Sequence, residues 1–391
     1  MRRFIGDRPL NTPALVASYR IGDYPRAGLR NYPWEMTDTK ALLLNAFDLL
    51  ANKRTKMFAQ HIQECEGKIH EYVKFNGPII LDSGAFNFLQ HQEISITPVD
   101  VLNIGLETDT DVLVVLDHPF PPNATSDEII IRLARTQSNT QTMFNTLAMY
   151  NGNVRDGFML MPVLHGHDTE TLKRSLDNIV SVMGHEPDIV GIGSLAPLAK
   201  NGNIRKAVDV ISYTRDMLPK AHIHVFSMGS ALLMLFAFYS GANTVDSQTW
   251  IMTAAFKQVQ LPGSHQTRFS KREAEDKPTK YQQTRYAFVQ QMLKLIQEEG
   301  FIVRDWDTGE KWYIANENEA LAYLDYLEDN EGINHIHRRA CHNLYSFNFE
   351  ADRICQAIQT GEVETFIQGR MKSTIYKQAF EYAVSKKDVT H

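Results

Sequence analysis

The chain has 391 residues, 43% hydrophobic and 22% charged, which is typical of a globular protein with one large domain and an appendage, or two domains. No apolar run approaches the roughly 20 residues that span a bilayer, the start lacks a signal-peptide core, and three cysteines exclude a disulfide framework. We therefore expect a cytoplasmic protein with no membrane association. The net charge of −6 does not indicate nucleic-acid binding, although a local basic stripe can bind a polyanion on an acidic protein.

Short apolar runs alternate with helical patterns along the first two thirds of the chain. An early run at 41–47 fits a strand or the start of a helix, and helical patterns cover 126–150, 169–183 and 204–218. Five further runs each end in Asp, His or Gly: 78–81, 111–116, 158–164, 189–192 and 223–228. This alternation predicts an α/β fold, an irregular (β/α)8 TIM barrel with a C-terminal helical appendage. A doubly wound open sheet is the alternative, but the chain has no Gly-rich nucleotide-binding motif to support it.

The stretch 223–248 is predicted to form a strand, a helix and a second strand. Ser230 is placed to cap the helix, and Gly241 is placed to end it in a left-handed conformation. The second strand ends on Asp246, where parallel α/β folds carry their chemistry.

The chain changes character after residue 250. A basic insertion at about 257–285 is followed by a helical pattern at 286–299, an aromatic and acidic segment, and a helix at about 342–360. We expect a catalytic barrel over 1–299 and a C-terminal subdomain over 300–391. The insertion supplies four candidate phosphate-binding residues: Lys257, Arg268, Lys271 and Arg272.

Three aspartates, Asp82, Asp117 and Asp246, each end a predicted strand. In a barrel they would share one mouth, where mutual repulsion and burial keep one carboxyl protonated while another stays ionised. Such a pair serves glycosyl chemistry, with one group as nucleophile and one as proton donor. Taken singly, each aspartate is equally compatible with a helix cap.

Other candidates have more than one interpretation. His165 and His167 have the spacing of a metal pair, but contact with a base or ordering of a loop is favoured. Gly193 and Ser194 would let the backbone approach a flat ligand or simply form a turn. Phe86 would stack on a base or pack in the core.

These residues lie in segments similar to those of the tRNA-guanine transglycosylase family. Leu81 to Asn87 resembles its DSGGFQ motif, and Val245 to Ser247 resembles its nucleophile segment. The other segments agree in the same order along the chain: Ala41–Phe47, Leu116–Asp117, Val163–Gly166, Gly193–Ala196, Ser227–Gly229, Ala322–Leu324 and His342–Tyr345.

The resemblance implies an irregular TIM barrel that exchanges guanine in a polynucleotide for a 7-deazaguanine such as preQ0. Asp246 would attack C1′, and Asp82 would be the general acid and base. Asp117 would accept hydrogen bonds from the base, and Phe86 would stack on it. The residues implied to line and close the base pocket are Ser83, His165, Gly193, Ser194 and Leu195.

The chain also departs from the family pattern. Ala85, Asn87, His165 and Ser194 replace family Gly, Gln, Gln and Gly residues. Of the family's four zinc ligands only His342 is retained, because the positions of the three cysteines hold Lys311, Tyr313 and Asn316. We therefore predict that the family zinc is absent and that no metal or other cofactor is needed. His335, His337, Cys341 and His342 have two interpretations. They build a different metal site, or they are simply the polar residues with which a helix begins.

The altered zinc region and base pocket favour DNA over tRNA as the substrate, as in a branch of the family that modifies DNA in bacteria and phages. Action on tRNA is the alternative, as is a non-catalytic paralogue that binds nucleic acid as a partner subunit. Retention of both Asp82 and Asp246 favours an enzyme. A barrel enzyme acting on small phosphorylated metabolites would need a Gly-rich phosphate loop, which 247–250 does not provide. Whether the chain forms a homodimer or has partner subunits is open.

Overall fold

The structure is a computed structural model that describes residues 2–21, 32–50, 62–86, 96–150, 154–195, 197–198, 202–269, 275–329 and 335–389. Packing groups the chain into two compact units. The first contains 1–22, 40–247 and 354–391, and the second contains 23–39 and 248–353. The central segment of the first unit therefore ends at 247, whereas the predicted boundary between the two domains lies at 299. The predicted boundary is not tested by this division and stays a prediction.

The strands are named in chain order. They are β1 (Arg2–Ile5), β2 (Arg8–Asn11), β3 (Ala14–Ser18), β4 (Ala41–Asn45), β5 (Ile79–Asp82), β6 (Val112–Val114), β7 (Met159–Met161), β8 (Val163–Leu164), β9 (Ile189–Ile192), β10 (His222–Val225), β11 (Thr244–Ser247), β12 (Gln258–Val259), β13 (Thr267–Arg268), β14 (Val303–Arg304) and β15 (Lys311–Trp312).

The helices are also named in chain order, apart from a 3₁₀ turn at Pro33–Glu35. They are α1 (Ala46–Leu50), α2 (Ile69–Tyr72), α3 (Pro98–Glu107), α4 (Ser126–Met149), α5 (Thr169–Met183), α6 (Ile204–Met217), α7 (Leu233–Tyr239), α8 (Thr249–Ala255), α9 (Pro278–Glu299), α10 (Glu317–Glu328), α11 (His335–Thr360), α12 (Val363–Arg370) and α13 (Thr374–Val389).

Nine parallel strands form the central sheet, in the order β7-β6-β5-β4-β3-β11-β10-β9-β8. β7 and β8 are two halves of one segment that Pro162 interrupts, because proline cannot donate to a sheet ladder. β7 pairs with β6 and β8 pairs with β9, so the sheet closes on itself as eight strands. This confirms the predicted (β/α)8 barrel and excludes the open sheet.

The amino-terminal end of the barrel is covered by the β1-β2 hairpin. Ile5 and Leu10 of this hairpin pack with Val16, Ile80 and Val112 in the core cluster inside the barrel. These inward-facing side chains alternate along the strands with residues that face the surrounding helices. The opposite end of the barrel, at the carboxyl ends of the strands, is where the polar candidates lie.

A buried carboxylate ties several elements together at the amino-terminal end. Asp111, just before β6, accepts hydrogen bonds from Arg8 Nε at 3.2 Å and Arg155 Nη2 at 3.0 Å. Its second oxygen accepts the Ile79 N–H at 2.8 Å and lies 3.0 Å from His70 Nε2. The fully buried position of Asp111 makes these partners necessary for its charge.

The second unit has its own core of apolar and aromatic side chains. Trp306, Tyr323 and Phe288 are among its buried residues. Asn343 on α11 cross-links this unit. Its side chain donates to the carbonyls of residues 250 and 258 and accepts the N–H of Gln260 at 2.8 Å.

Several element boundaries differ from the predicted ones. α9 begins at Pro278, not near 286, because its first turns are polar and show little apolar periodicity. α11 begins at His335, not near 342, for the same reason. The basic insertion contains the antiparallel pair β12-β13. The helix after Ser230 begins at Leu233, whose N–H donates to the Ser230 hydroxyl at 3.3 Å.

The predicted end of the helix after Ser230 is confirmed. Gly241 follows α7 with a positive φ of 110°, as the predicted helix stop requires. Within the described ranges, no helix is long and apolar enough to cross a membrane.

Candidate active site

The three strand-end aspartates meet at one mouth of the barrel. Asp82 is the last residue of β5, Asp117 follows β6, and Asp246 lies in β11. The charges of both Asp117 and Asp246 raise the pKa of Asp82, so both carboxyls lie within electrostatic range of it. The structure thus brings these two side chains near Asp82, while the chemical roles of all three stay proposals.

Burial and like charge make Asp82 a weak acid. Burial, followed by the charges of Asp117 and Asp246, raises the pKa of Asp82 to about 8. Asn45, its register partner on β4, donates to Asp82 Oδ2 at 3.3 Å, and Gly84 N–H donates to the same oxygen at 3.3 Å. A carboxyl that is mostly protonated at neutral pH is suited to deliver a proton to a leaving group.

Asp117 is held by one hydrogen bond and one close histidine contact. Ser83 Oγ–H donates to Asp117 Oδ1 at 3.3 Å, and His165 Nε2 lies 2.8 Å from Oδ2. His165 is fully buried and Asp117 nearly so. A carboxylate can accept about four hydrogen bonds, so Asp117 retains acceptor capacity for two N–H groups of a ligand.

Ser194 orients His165 from its other side. Its hydroxyl accepts the Phe120 N–H at 3.2 Å and lies 3.0 Å from His165 Nδ1. Ser194 has a φ of 65°, in the left-handed region that glycine adopts at less cost. His165 and Ser194, two of the departures from the family pattern, are thus in direct contact with each other and hold one pocket wall.

The backbone around Asp246 is tightly packed. Its Oδ1 accepts the Ser227 N–H at 2.7 Å. A Cβ on Gly229 would lie 2.3 Å from the Asp246 carbonyl oxygen and 2.2 Å from Ser247 Cβ, so only glycine fits there. The loop that follows β10 therefore packs closely against β11 and holds the Asp246 carboxylate through the Ser227 N–H.

The remaining predicted pocket residues differ in their exposure to solvent and in their contacts. A Cβ on Gly193 would meet the His165 ring at 2.5 Å, so this glycine lets the ring approach the backbone. Leu195 is fully buried, and Phe86 is 49% exposed, as a ring available for stacking would be. His167 donates from Nε2 to the Ser194 carbonyl at 3.0 Å, which supports a loop-ordering role over a metal pair.

The predicted phosphate-binding residues belong to the second unit. Lys257, just before β12, and Arg268, within β13, are both exposed. Lys271 and Arg272, like Asn87 of the motif that contains Phe86, lie outside the described residues. Their proposed contact with nucleic acid stays a prediction.

The residues at the family zinc positions do not fit a zinc site. Asn316 caps α10 by accepting the Glu319 N–H at 3.1 Å, and Lys311 lies over the exposed ring of Tyr313 at 5.0 Å. His342 Nδ1 lies 2.9 Å from the Tyr323 hydroxyl. Protein hydrogen bonds and aromatic packing thus occupy these positions.

The alternative metal site is not assembled either. Cys341 Sγ lies 3.6 Å from His337 Nε2, one turn away on α11, and burial raises the pKa of that thiol. Burial lowers the pKa of His342 to about 3, so its ring is neutral. Over the described part of the chain, no group of three or more His, Cys, Asp or Glu side chains is placed to bind a metal. Absence of zinc stays a prediction.

Sequence reasoning did not identify Asn45 or His224 as site residues. Asn45 could have been recognised because it also ends a predicted barrel strand. His224 lies inside β10, with Nε2 3.6 Å from Asp246 Oδ1, and a histidine within a strand, away from its carboxyl end, gives no such signal.

Comparisons with known proteins match the chain to one family. The family model for queuine tRNA-ribosyltransferase matches residues 5–375. The tRNA-guanine(15) transglycosylase of Methanothermobacter thermautotrophicus is 25% identical over 48% of this chain and 27% of its own length. That of Thermococcus kodakarensis is 22% identical over 68% of this chain and 48% of its own length. The chain thus matches about half or less of the length of these relatives. With nearly the whole chain matched by the family model, the protein belongs to the queuine tRNA-ribosyltransferase family.

Proposed function

We propose that the protein is a guanine transglycosylase, which exchanges a base in a polynucleotide through a covalent intermediate on Asp246. The observation that carries this proposal is the presence of a weakly acidic carboxyl, Asp82, beside a second carboxyl, Asp246, in one barrel mouth. Asp82 has a pKa raised to about 8 by burial and by Asp117 and Asp246, and Asp246 is held by the Ser227 N–H. One carboxyl is therefore suited to give a proton and the other to attack.

Each half of the exchange balances on these two residues. An Asp246 oxygen forms a bond to C1′ while the bond from C1′ to N9 breaks, and the electron pair leaves with guanine. The Asp82 carboxyl gives its proton to the leaving base and becomes a carboxylate. The incoming base then gives its N9 proton to Asp82 and attacks C1′, and Asp246 leaves as a carboxylate.

The base pocket supports recognition of a guanine-like edge. Asp117, fixed by Ser83 and His165, offers acceptors to neighbouring N–H donors, which guanine and 7-deazaguanines present and adenine does not. Phe86 is exposed enough to stack on the base. The target nucleotide must leave its stack to reach these groups. We propose a 7-deazaguanine, for example preQ0, as the incoming base.

The polynucleotide is proposed to be tRNA. The two relatives reported above carry names that specify tRNA, and the family model does so too. The predicted preference for DNA rests only on the altered zinc positions and pocket, and the comparisons favour tRNA over it. DNA therefore serves as the second substrate in the test.

The test is incorporation of radiolabelled guanine, with tRNA and duplex DNA in parallel reactions. We expect label in the tRNA fraction and none with Asp82→Asn or Asp246→Ala. Label in DNA alone would reject tRNA and reinstate the DNA prediction. No incorporation into either polymer, with binding of both retained, would point to the non-catalytic paralogue.

A further inference from the structure

Three buried polar side chains lie beneath Asp246 inside the barrel. His222 and His224 lie two residues apart on β10, and Thr244 lies opposite His224 on β11. Thr244 and Asp246 are also two residues apart, so all four side chains face the barrel interior. His224 and Thr244 are fully buried.

The distances connect these side chains in a row that ends at Asp246. Thr244 Oγ1 lies 2.9 Å from His222 Nε2 and 3.0 Å from His224 Nδ1. On the opposite edge of the His224 ring, Nε2 lies 3.6 Å from Asp246 Oδ1. The Phe226 ring packs edge-on against His224, with centroids 4.6 Å apart, and limits rotation of the imidazole.

The single hydroxyl proton of Thr244 determines which group donates and which accepts in each of these hydrogen bonds. Thr244 can donate to at most one of the two histidines, and it accepts from any histidine to which it does not donate. If Thr244 did not donate to His224, a neutral His224 would carry its proton on Nδ1 and turn a bare Nε2 lone pair towards the Asp246 carboxylate, which is repulsive. The favourable order is therefore His222 Nε2–H to Thr244, Thr244 O–H to His224 Nδ1, and His224 Nε2–H towards Asp246.

We propose that His224 is a positioning residue for the nucleophile, with its tautomer set by Thr244. This inference rests on the proposed function. The Ser227 N–H donates to Oδ1 of Asp246, and His224 Nε2 faces the same oxygen. Oδ2 is therefore the oxygen left free to bond C1′. The Nε2–H also stabilises the carboxylate as it leaves C1′ in the second half of the exchange.

The test compares steady-state base exchange in purified full-length variants. His224→Leu removes this polar contact. Because 3.6 Å is longer than a hydrogen bond, we expect kcat to fall roughly three- to ten-fold, less than for a full hydrogen bond to a charged group. KM for the base should change less than about two-fold, because the base pocket is built by Asp117 and His165. His224→Gln restores an amide N–H near the same place and should recover most of the loss.

Two further variants separate positioning from packing. Ile223→Ala is a matched control on the same strand, since Ile223 is equally buried but alternates to the outer face of the barrel. It should lower thermal stability and leave kcat near the wild-type value. Thr244→Val removes the hydroxyl at nearly constant volume and should lower kcat by roughly three- to ten-fold through loss of the fixed tautomer.

The inference would be overturned if His224→Leu kept kcat within about two-fold of wild type. It would also be overturned if His224→Gln failed to recover activity while folding as well as wild type, or if Ile223→Ala lost kcat equally. Failure of the proposed function is a separate outcome, because the wild-type protein would then incorporate no guanine at all.

Discussion

Replacement of Asp82 by asparagine tests the protonated carboxyl in two independent ways. The substitution keeps the shape of the side chain and removes the transferable proton. With a pKa of about 8, Asp82 is protonated in about nine-tenths of wild-type molecules at pH 7 and about one-tenth at pH 9. Base exchange that needs this proton should thus fall about ten-fold between these pH values. The variant should lose at least about a hundred-fold at pH 7.

The same substitution changes the pH dependence of stability. The pKa of Asp82 is raised in the folded state, mainly by burial and then by Asp117 and Asp246, so the unfolded chain ionises first as the pH rises. The free energy of unfolding of the wild type should decline between about pH 4 and pH 8. Each pH unit can contribute at most about 1.4 kcal/mol. Since Asp82 is only partly buried by surface area, we expect a total of roughly 2–3 kcal/mol.

The assays are guanine incorporation from pH 6 to 10 and urea unfolding at pH 5 and pH 8.5. Asp82→Asn should gain stability relative to wild type at pH 8.5 and much less at pH 5, because its amide does not ionise. Asn45→Ala is the companion variant, since it removes a neighbour of the carboxyl without removing the acid. A variant that exchanged guanine normally, or a wild-type rate unchanged from pH 7 to 9, would refute the reasoning.

Three further predictions concern the fold, the zinc positions and the base. Asp111→Asn should destabilise the protein by about 3 kcal/mol in urea unfolding, because an amide replaces the fully buried carboxylate that pairs with Arg8 and Arg155. Asp109→Asn, at a more exposed ion pair, should cost less than about 1 kcal/mol, and equal effects would contradict this. Incubation with a metal chelator should leave the Tm unchanged, and a lowered Tm would show a structural metal. Phe86→Ala should raise KM for the base about ten-fold at constant kcat by loss of stacking, and an unchanged KM would remove that role.

The barrel and its acidic mouth were predictable because two independent signals coincide in the sequence. Apolar runs such as 111–116 mark buried parallel strands, and Asp82, Asp117 and Asp246 stand where such strands end. A parallel barrel brings all carboxyl ends of its strands to one face, so convergence follows from topology. Burial, and then the charges of Asp117 and Asp246 that this convergence brings near, raise the pKa of Asp82.

The connected side chains beneath Asp246, which are His222, Thr244 and His224, could not be predicted in the same way. Strand alternation puts His222 and His224 on one face of β10, but it does not reveal that Thr244 stands opposite them. That contact depends on the register between β10 and β11. The early starts of α9 and α11 were missed because polar first turns lack the apolar periodicity that marks a helix.

The central claim is that Asp82 and Asp246 act on the same glycosidic bond, and trapping the intermediate tests it most directly. Wild-type protein and tRNA are quenched with denaturant during turnover, digested, and analysed by mass spectrometry. We predict a nucleotide adduct on the peptide that contains Asp246, at a much lower level in Asp82→Asn, which cannot protonate the departing guanine. An adduct on any other residue, or turnover with no adduct at all, would contradict the account.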